Sequence, residues 1–282
     1  MVATEFNPVR PADGQQGYAQ SMNKETSPVA GKRVGLFPTC LVDLFRPSVA
    51  FAAARLLEDA GCSVHVPDAQ TCCGQPAYNS GDNTRARALA RQIIDAYREF
   101  DYVVVPSGSC GGTISRHYPE LFRDEREWQD AALDLAGRTW ELTRFLHEVA
   151  GIEQLPGHYQ GTATYHDSCS GLRELGIRTQ PRRLLGAVSG LTLREMPDTD
   201  VCCGFGGTFC VKYPEISERM VSNKVDCIRQ SGADTVLAGD LGCLMNIAGR
   251  LHREGVDVRA FHVAEVLAGV GNTPAIGAGD GS

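Results

Sequence analysis

Hydrophobic residues recur along the chain with two different periods. Short apolar runs, such as those in VGLFPT at 34–39 and DYVVVPSGS at 101–109, are typical of buried strands. Segments 47–60 and 86–97 instead carry apolar residues at the spacing of an amphipathic helix, and Asp82 is the predicted N-cap of the second. Strands that alternate with helices of this length predict βαβ units and parallel sheets.

The series of segments that lead into a cysteine occurs twice. The first copy passes Cys40, a Cys-Cys-Gly triplet and Cys110, and the second repeats this order from Cys169 to Cys243. The first cysteine and the triplet are 32 positions apart in one copy and 33 in the other, and the next interval is 38 and 41. We therefore predict an α/β fold with two tandem similar lobes, each a small parallel β-sheet flanked by helices, related by a pseudo-two-fold duplication.

The domain boundaries follow from composition. Residues 1–30 and 269–282 are rich in Gly, Pro and small polar residues and have no apolar period, so we expect a flexible tail at each end. The first cysteine-rich domain is predicted at 31–155 and the second at 156–268, with the linker within 151–161.

The repeated cysteines follow predicted strands and precede predicted helices. Because ligands of parallel sheets collect at the carboxyl ends of the strands, we expect the four thiols of each lobe to meet at one edge. Eight cysteines are therefore candidate metal and cofactor ligands: Cys40, Cys72, Cys73, Cys110, Cys169, Cys202, Cys203 and Cys243.

Composition narrows the setting in which these cysteines act. The 282 residues have a net charge of −7, which disfavours nucleic acid as a partner. No apolar stretch is long enough to span a membrane, and the N-terminus lacks the apolar core of a secretory signal, so we expect a cytoplasmic protein. In that reducing compartment, eleven cysteines indicate metal binding or redox chemistry rather than disulfides.

Several kinds of site can be built from gathered thiols. Thiolates bind zinc, copper(I) and iron–sulfur clusters, so the sulfur ligands alone do not exclude zinc. The adjacent pair Cys72-Cys73 favours a cluster, because neighbouring side chains diverge and reach different irons more easily than one ion. Buried packing is the alternative for a single cysteine, and a thiol–disulfide enzyme is disfavoured because no Cys-x-x-Cys pair is present.

Residues outside the repeated cysteines supply further candidates. His166 and Asp167 precede Cys169 and are candidate catalytic residues for proton relay or substrate orientation, and Arg173 is a candidate for binding an organic acid. Arg116 and His117 lie near another strand end. Hydrogen bonding within loops and surface solvation are the alternatives for all of them.

Three cysteines have no counterpart in the other copy. Cys62 follows a helix end and is expected to pack in the core, and Cys227 falls on a helix and is expected to be structural. Cys210 lies seven positions after Cys203, where it is either a substitute ligand, a redox-sensitive thiol or, more simply, a packing residue.

The motifs resemble a known family. Two Cys-Cys-Gly triplets flanked by distant cysteines resemble the cysteine-rich (CCG) domain that occurs in heterodisulfide reductase and in the iron–sulfur component of glycolate oxidase. The stretches CCGQPAYNSGD, PSGSC, YHDSCSGLRELG, CCGFGGTF and GDLGCLMNIAGR are more specifically similar to the lactate-utilisation protein A family. The resemblance covers roughly residues 33–268.

The resemblance implies an iron–sulfur oxidoreductase subunit that transfers electrons through Cys-ligated clusters as L-lactate is oxidised to pyruvate. It implies a complex with lactate-utilisation proteins B and C, a small 2-hydroxy acid as possible substrate, and one or two [4Fe–4S] clusters per chain. Carried over by position, Cys40, Cys72, Cys73 and Cys110 hold one centre. Cys169, Cys202, Cys203 and Cys243 hold the other.

One departure from the fuller family motif keeps alternatives open. That motif ends in Cys-x-x-Cys, whereas here Ser107 and Asp240 occupy the first of the two cysteine positions. These residues are either oxygen ligands or, as we favour, hydrogen-bonding and helix-capping residues. The alternative functions are an iron–sulfur subunit for glycolate or for disulfide reduction, and a non-catalytic scaffold stabilised by zinc.

Overall fold

The computed structural model describes residues 27–155, 157–269 and 273–278, and within these ranges the strands form two sheets. In the first sheet the strand order is β2-β1-β3-β4, and in the second it is β6-β5-β7-β8. The strands are β1 (Arg33–Leu36), β2 (Ser63–His65), β3 (Tyr102–Val105), β4 (Thr139–Glu141), β5 (His158–Tyr165), β6 (Ser189–Leu193), β7 (Thr235–Ala238) and β8 (Arg259–His262).

Helices flank both sheets and connect their strands. Two π-helical segments, Thr113–His117 and Phe145–Val149, continue the ends of shorter α-helices. The α-helices are α1 (Cys40–Phe45), α2 (Pro47–Asp59), α3 (Gln75–Asn79), α4 (Asn83–Ala96), α5 (Gly108–Gly112), α6 (Tyr118–Leu121), α7 (Arg126–Gly137), α8 (Leu142–Arg144), α9 (Cys169–Leu175), α10 (Thr179–Gly186), α11 (Phe209–Lys212), α12 (Pro214–Ser231), α13 (Leu241–Arg253) and α14 (Val263–Leu267).

The two sheets are built alike. Every described strand pair is parallel, and each lobe places its first strand between its second and third. The contacts between the lobes also follow the pseudo-two-fold symmetry. Helix α2 of the first lobe packs on α14 of the second. Their equivalents, α10 of the second lobe and α8 of the first, pack on each other in the same way. The predicted α/β fold with two tandem, pseudo-two-fold-related lobes is therefore confirmed.

Local sequence explains where the elements begin. The predicted cap at Asp82 is confirmed, because its side chain accepts a hydrogen bond from Arg85 N–H at 3.0 Å. Cys40 and Cys169 are the first residues of α1 and α9. The Cys-Cys-Gly triplets differ from the prediction, since loops 66–71 and 194–201 separate them from the preceding strands.

The hydrophobic core is continuous across the two lobes. One cluster joins residues of both sheets, while separate clusters lie under α4 in the first lobe and under α12 in the second. Parts of the predicted tails also pack on the lobes, since Val29 is buried and Ile276 N–H donates to Ala260 O at 2.9 Å. The remaining tail residues, 1–26, 270–272 and 279–282, lie outside the described residues, as does Pro156.

Among the described residues, none of the helices has the length and apolar character that crossing a membrane requires.

Candidate metal centres

The four predicted thiols of the first lobe lie together at the carboxyl edge of its sheet. Cys40 comes from the first residue of α1 and Cys110 from α5, while the vicinal pair comes from the loop before α3. The Sγ atoms of Cys40 and Cys72 are 3.9 Å apart, and those of Cys73 and Cys110 are 3.3 Å apart. The fold thus brings together residues that are far apart in the sequence.

A glycine follows each vicinal pair for a steric reason. Gly74 and Gly204 have φ of 82° and 83°, in the left-handed region that residues with a Cβ avoid. A Cβ on Gly204 would also lie 2.7 Å from Ser217 O. This turn directs the N–H of each glycine to the sulfur of the cysteine two residues earlier. Gly74 donates to Cys72 Sγ and Gly204 donates to Cys202 Sγ, both at 3.4 Å.

Hydrogen bonds stabilise one thiolate in each lobe. The pKa of Cys72 is held well below its usual range by hydrogen bonds from Cys40 and Cys73 and from the Gly74 N–H. The pKa of Cys202 is lowered in the same way, by Cys169, Cys203 and the Gly204 N–H. Because metals bind thiolates rather than thiols, the two lobes share an electrostatic arrangement suited to metal binding.

Two thiols of the second lobe lie close to a buried histidine. Cys169 is hydrogen-bonded to Cys202, and Cys203 to Cys243. The ligand atoms of His166, Cys203 and Cys243 lie within 4.8 Å of one another, and all three residues are buried. Burial and then the nearby Lys224 lower the pKa of His166 to about 4, so the ring is neutral at pH 7.

A cavity of about 270 Å³ adjoins the first group of thiols. The second lobe closes one side of it with Phe205, which follows the second Cys-Cys-Gly triplet and packs against Gly242 of α13. Residues of both lobes line it: Thr39, Cys40, Leu41, Cys72, Cys73, Gln75, Pro76, Ser107, Ser109, Cys110, Phe205, Gly207, Thr208, Val211, Asp240, Leu241 and Gly242.

Small residues explain why the two sides of the pseudo-two-fold axis differ. On one side α5 and α9 pack tightly, and a Cβ on Gly108 would lie 2.7 Å from Gly171 Cα. The equivalent positions on the other side are Leu241 of α13 and Val42 of α1. Here α1 and α13 approach each other less closely than α5 and α9 do, and the cavity lies between them.

Ser107 and Asp240 both have hydrogen-bond partners. Ser107 caps α5, since its Oγ accepts from Cys110 N–H at 3.4 Å and donates to Asp240 Oδ2 at 3.1 Å. Asp240 Oδ2 also accepts from Ser109 N–H at 3.0 Å. Ser107 therefore caps its helix, whereas the Asp240 side chain makes no capping hydrogen bond to α13 and instead bonds to the segment around Ser107 in the other lobe.

Asp167 belongs to a structural ion pair. Its two carboxylate oxygens accept from Arg182 Nη1 and Nη2 at 2.8 and 2.9 Å, and its N–H donates to Thr199 O. Arg182 also bonds Glu195. This network fixes the loop that carries His166. Sequence reasoning missed Arg182, since nothing in its spacing distinguishes it from a solvated helix residue.

The predicted arginine and histidine candidates lie away from the cavity. Arg173 is exposed on α9, and its side chain does not line the cavity. Arg116 Nε donates to Glu174 O at 3.0 Å, and His117 Nε2 is 3.3 Å from Glu174 Oε2, so both residues join the lobes. These three residues stay predictions as substrate ligands.

Lys224 is a buried cation that sequence reasoning also missed. Its Nζ donates to the backbone oxygens of Asp198 and Thr199, and burial lowers its pKa. Its signal was a charged residue within the apolar stripe of the predicted helix. Gly74 lies against the main chain of Ala86 and Gly204 lies against that of Ser217, so these two positions of α4 and α12 correspond. The same correspondence makes Ile93 the first-lobe equivalent of Lys224.

The unpaired cysteines differ in their surroundings. Cys62 is buried in the shared core, which raises its pKa to about 11. Cys210 donates a hydrogen bond to Gly207 O, and Cys227 lies half-buried on α12. The predicted core packing of Cys62 is confirmed.

The gathered thiols of each lobe suit a soft metal ion or an iron–sulfur cluster. Four soft sulfur ligands converge from separate chain segments, and each set includes one stabilised thiolate. The cavity beside the first set is larger than a single metal ion requires, so it has room for a group of several atoms. In both lobes, glycine N–H groups are available to hydrogen-bond sulfur.

Comparison with known proteins agrees with this geometry. The cysteine-rich domain model named CCG matches residues 34–115 and 163–248. The chain is 50% identical over 235 residues to lactate utilization protein A of Macrococcus caseolyticus (strain JCSC5402), covering 83% of this chain and 96% of that protein. It is 48% identical over 235 residues to lactate utilization protein A of Bacillus subtilis (strain 168), covering 83% of this chain and 98% of that protein.

A solved structure shows a similar fold. The crystal structure of a hypothetical protein from Helicobacter pylori matches with a TM-score of 0.60 at 11% sequence identity. The match covers 86% of this chain and 50% of that one, so this chain spans about half the length of that structure. At this identity the likeness concerns the fold alone.

Proposed function

The chain belongs to the cysteine-rich (CCG) domain family and, within it, to the lactate utilization protein A group. On this basis we propose that it is an iron–sulfur oxidoreductase subunit in the oxidation of L-lactate to pyruvate. In this role Cys40, Cys72, Cys73 and Cys110 hold one [4Fe–4S] cluster. Cys169, Cys202, Cys203 and Cys243 hold a second.

The observation that carries the proposal is the convergence of four first-lobe sulfurs beside a cavity of about 270 Å³. A protein-bound cluster supplies one-electron transfer, with a potential that depends on burial, charge and hydrogen bonds to sulfur. The chain contributes the thiolates, the glycine N–H donors of both triplets and the apolar surroundings of Cys73 and Cys110.

The charge of the cavity supports an electron-transfer role over substrate binding on this chain. Among the described residues that line the cavity, Asp240 carries a charge and none is a lysine or an arginine. A lactate carboxylate would meet this aspartate without a cationic partner. We propose that lactate is oxidised on a companion subunit, corresponding to lactate-utilisation proteins B and C, and that this chain accepts the electrons.

Anaerobic purification followed by iron, sulfide and zinc analysis tests the cofactor. We expect two clusters per chain and electron paramagnetic resonance signals that change on reduction with dithionite. Cys73→Ser should remove the first centre and spare the second, whereas Cys62→Ala, in the core away from both centres, should spare both. A colourless protein with stoichiometric zinc and no sulfide would overturn the proposal in favour of a scaffold.

Growth of a deletion strain tests the substrate. We expect loss of growth on L-lactate as sole carbon source in a strain without a second lactate dehydrogenase, and restoration by the wild-type gene but not by Cys73→Ser. Unimpaired growth on lactate with loss of growth on glycolate would assign the clusters to a different 2-hydroxy acid.

A further inference from the structure

Equivalent positions of the two lobes carry different side chains beside the thiols. Phe37 and His166 each lie three residues before the first cysteine of their lobe, and both are fully buried. Phe37 packs in the apolar cluster that contains Cys73 and Cys110, with its ring 5.6 Å from that of Tyr97. The first centre therefore has a hydrocarbon neighbour where the second has an imidazole.

Within the part of the chain that the structure describes, neither ring nitrogen of His166 has a partner at hydrogen-bond geometry. The Thr199 main chain also contacts the ring and raises its pKa, with less effect than burial and three charged groups, and this contact falls short of hydrogen-bond geometry. A buried polar atom without a partner destabilises the folded state, so such groups in folded proteins have a reason to be there. The ring cannot reach water, since the residue is 0% exposed.

Besides the Thr199 main chain, the groups within reach of the ring include two sulfurs. Those of Cys203 and Cys243 lie within 4.8 Å of a ring nitrogen of His166 and of each other. Imidazole and thiolate are both common ligands of iron and zinc, so the three groups together form a donor set of mixed character.

The backbone holds this ring in place. His166 N–H donates to Leu237 O of β7 at 2.8 Å, and the next residue, Asp167, is fixed by Arg182. The ring is thus held in place from its own backbone and from the next residue, yet no protein group pairs with its nitrogens at hydrogen-bond geometry. Such a side chain is suited to bind a group that the polypeptide does not itself supply.

We propose that His166 is a direct ligand of the metal centre in the second lobe, through a ring nitrogen, alongside Cys203 and Cys243. The inference rests on the proposed function, because it requires a cluster in that lobe. The first centre is then held by sulfur alone, whereas the second has mixed imidazole and thiolate ligands. The imidazole is then a fifth protein ligand beside the four cysteines of this lobe, and because it is neutral it leaves the charge of the thiolate set unchanged.

Pulsed electron paramagnetic resonance of the reduced holoprotein tests the ligand. Cys73→Ser provides the background, because it silences the first centre. In that background we expect strong nitrogen hyperfine coupling that changes when the histidines are labelled with ¹⁵N. His166→Cys should keep iron in the second lobe, abolish the coupling and lower the midpoint potential. The exposed control His252→Gln should leave the coupling unchanged.

His166→Phe gives a second test, since it introduces the residue that the first lobe folds with. We expect loss of the nitrogen coupling, with iron and sulfide retained in both lobes by their four cysteines. Iron and sulfide at full occupancy without nitrogen coupling in the wild-type background would overturn this inference and leave the proposed function intact. Absence of iron and sulfide from both lobes would overturn the proposed function and this inference together.

Discussion

Ser107 and Asp240 occupy equivalent positions in the two lobes and hydrogen-bond to each other across the pseudo-two-fold axis, with Ser107 Oγ 3.1 Å from Asp240 Oδ2. Each lies three residues before the last cysteine of its lobe. The contact therefore links the two cysteine-bearing segments directly. The asymmetry of the pair, a hydroxyl on one side and a carboxylate on the other, allows one to donate and the other to accept.

Removal of this carboxylate should weaken the fold and spare the centres. Asp240→Ala leaves the buried Ser107 hydroxyl and the Ser109 N–H without their acceptor, so we expect the free energy of unfolding to fall by about 1–3 kcal/mol. Chemical denaturation measures this, with the exposed Asp124→Ala as control. If Asp240 were an iron ligand instead, Asp240→Ala would also lower the iron content and change the cluster spectrum.

The close approach of α5 and α9 should tolerate no side chain. In Gly108→Ala the new Cβ would lie 2.7 Å from Gly171 Cα, and this backbone contact forces the lobes apart. We expect a destabilisation of about 1–3 kcal/mol or more. Gly137→Ala is the matched control, since its Cβ would meet nothing within 4 Å, and it should be neutral or slightly stabilising. Equal thermal midpoints for the two variants would contradict this packing.

The buried cation of Lys224 should raise the potential of the second centre. Lys224→Ile introduces the residue found at the equivalent position of the first lobe, Ile93, and removes a positive charge that acts on Cys203. In a redox titration followed by electron paramagnetic resonance, we expect a lower midpoint potential for the second centre and an unchanged potential for the first.

The exposed Lys212→Ile serves as the control for charge at a distance. An unchanged potential in Lys224→Ile, with both centres occupied, would show that this cation stabilises the 198–199 loop without influencing the cluster.

The imidazole of His262 should make stability depend on pH. Its Nδ1 accepts from Ala264 N–H and its Nε2 lies 3.2 Å from Pro106 O, an arrangement for a neutral ring that donates through Nε2. Burial lowers its pKa, despite the opposing charges of Glu265 and Asp240. Below about pH 6.5 the unfolded chain therefore binds a proton that the folded chain excludes, and the free energy of unfolding falls as the pH falls.

Denaturation at a series of pH values between about 7 and 5 measures this slope. His262→Asn keeps a capping acceptor but cannot titrate, so its slope should be smaller than that of the wild type. Identical slopes would show that His262 does not contribute to the pH dependence.

The predicted order of elements and the grouping of the first-lobe thiols followed from periodic apolar runs and repeated intervals. Asp82 capped α4 as expected because capping depends on residues three positions apart. The loops that separate each Cys-Cys-Gly triplet from its strand could not be predicted. In the fold the glycine of each triplet packs against a helix, at Ala86 of α4 in the first lobe and at Ser217 of α12 in the second, and the sequence does not show this contact.

The sequence by itself determined the duplicated α/β architecture and the eight thiols, because strand and helix periods and cysteine spacing are local properties of the chain. Only the tertiary structure decided how the two lobes differ. Gly108 meets Gly171 on one side of the axis, while a cavity lined in part by Leu241 lies on the other. His166 and Lys224 are buried where the first lobe is apolar. These differences depend on which distant segments come into contact, and no local pattern contains that information.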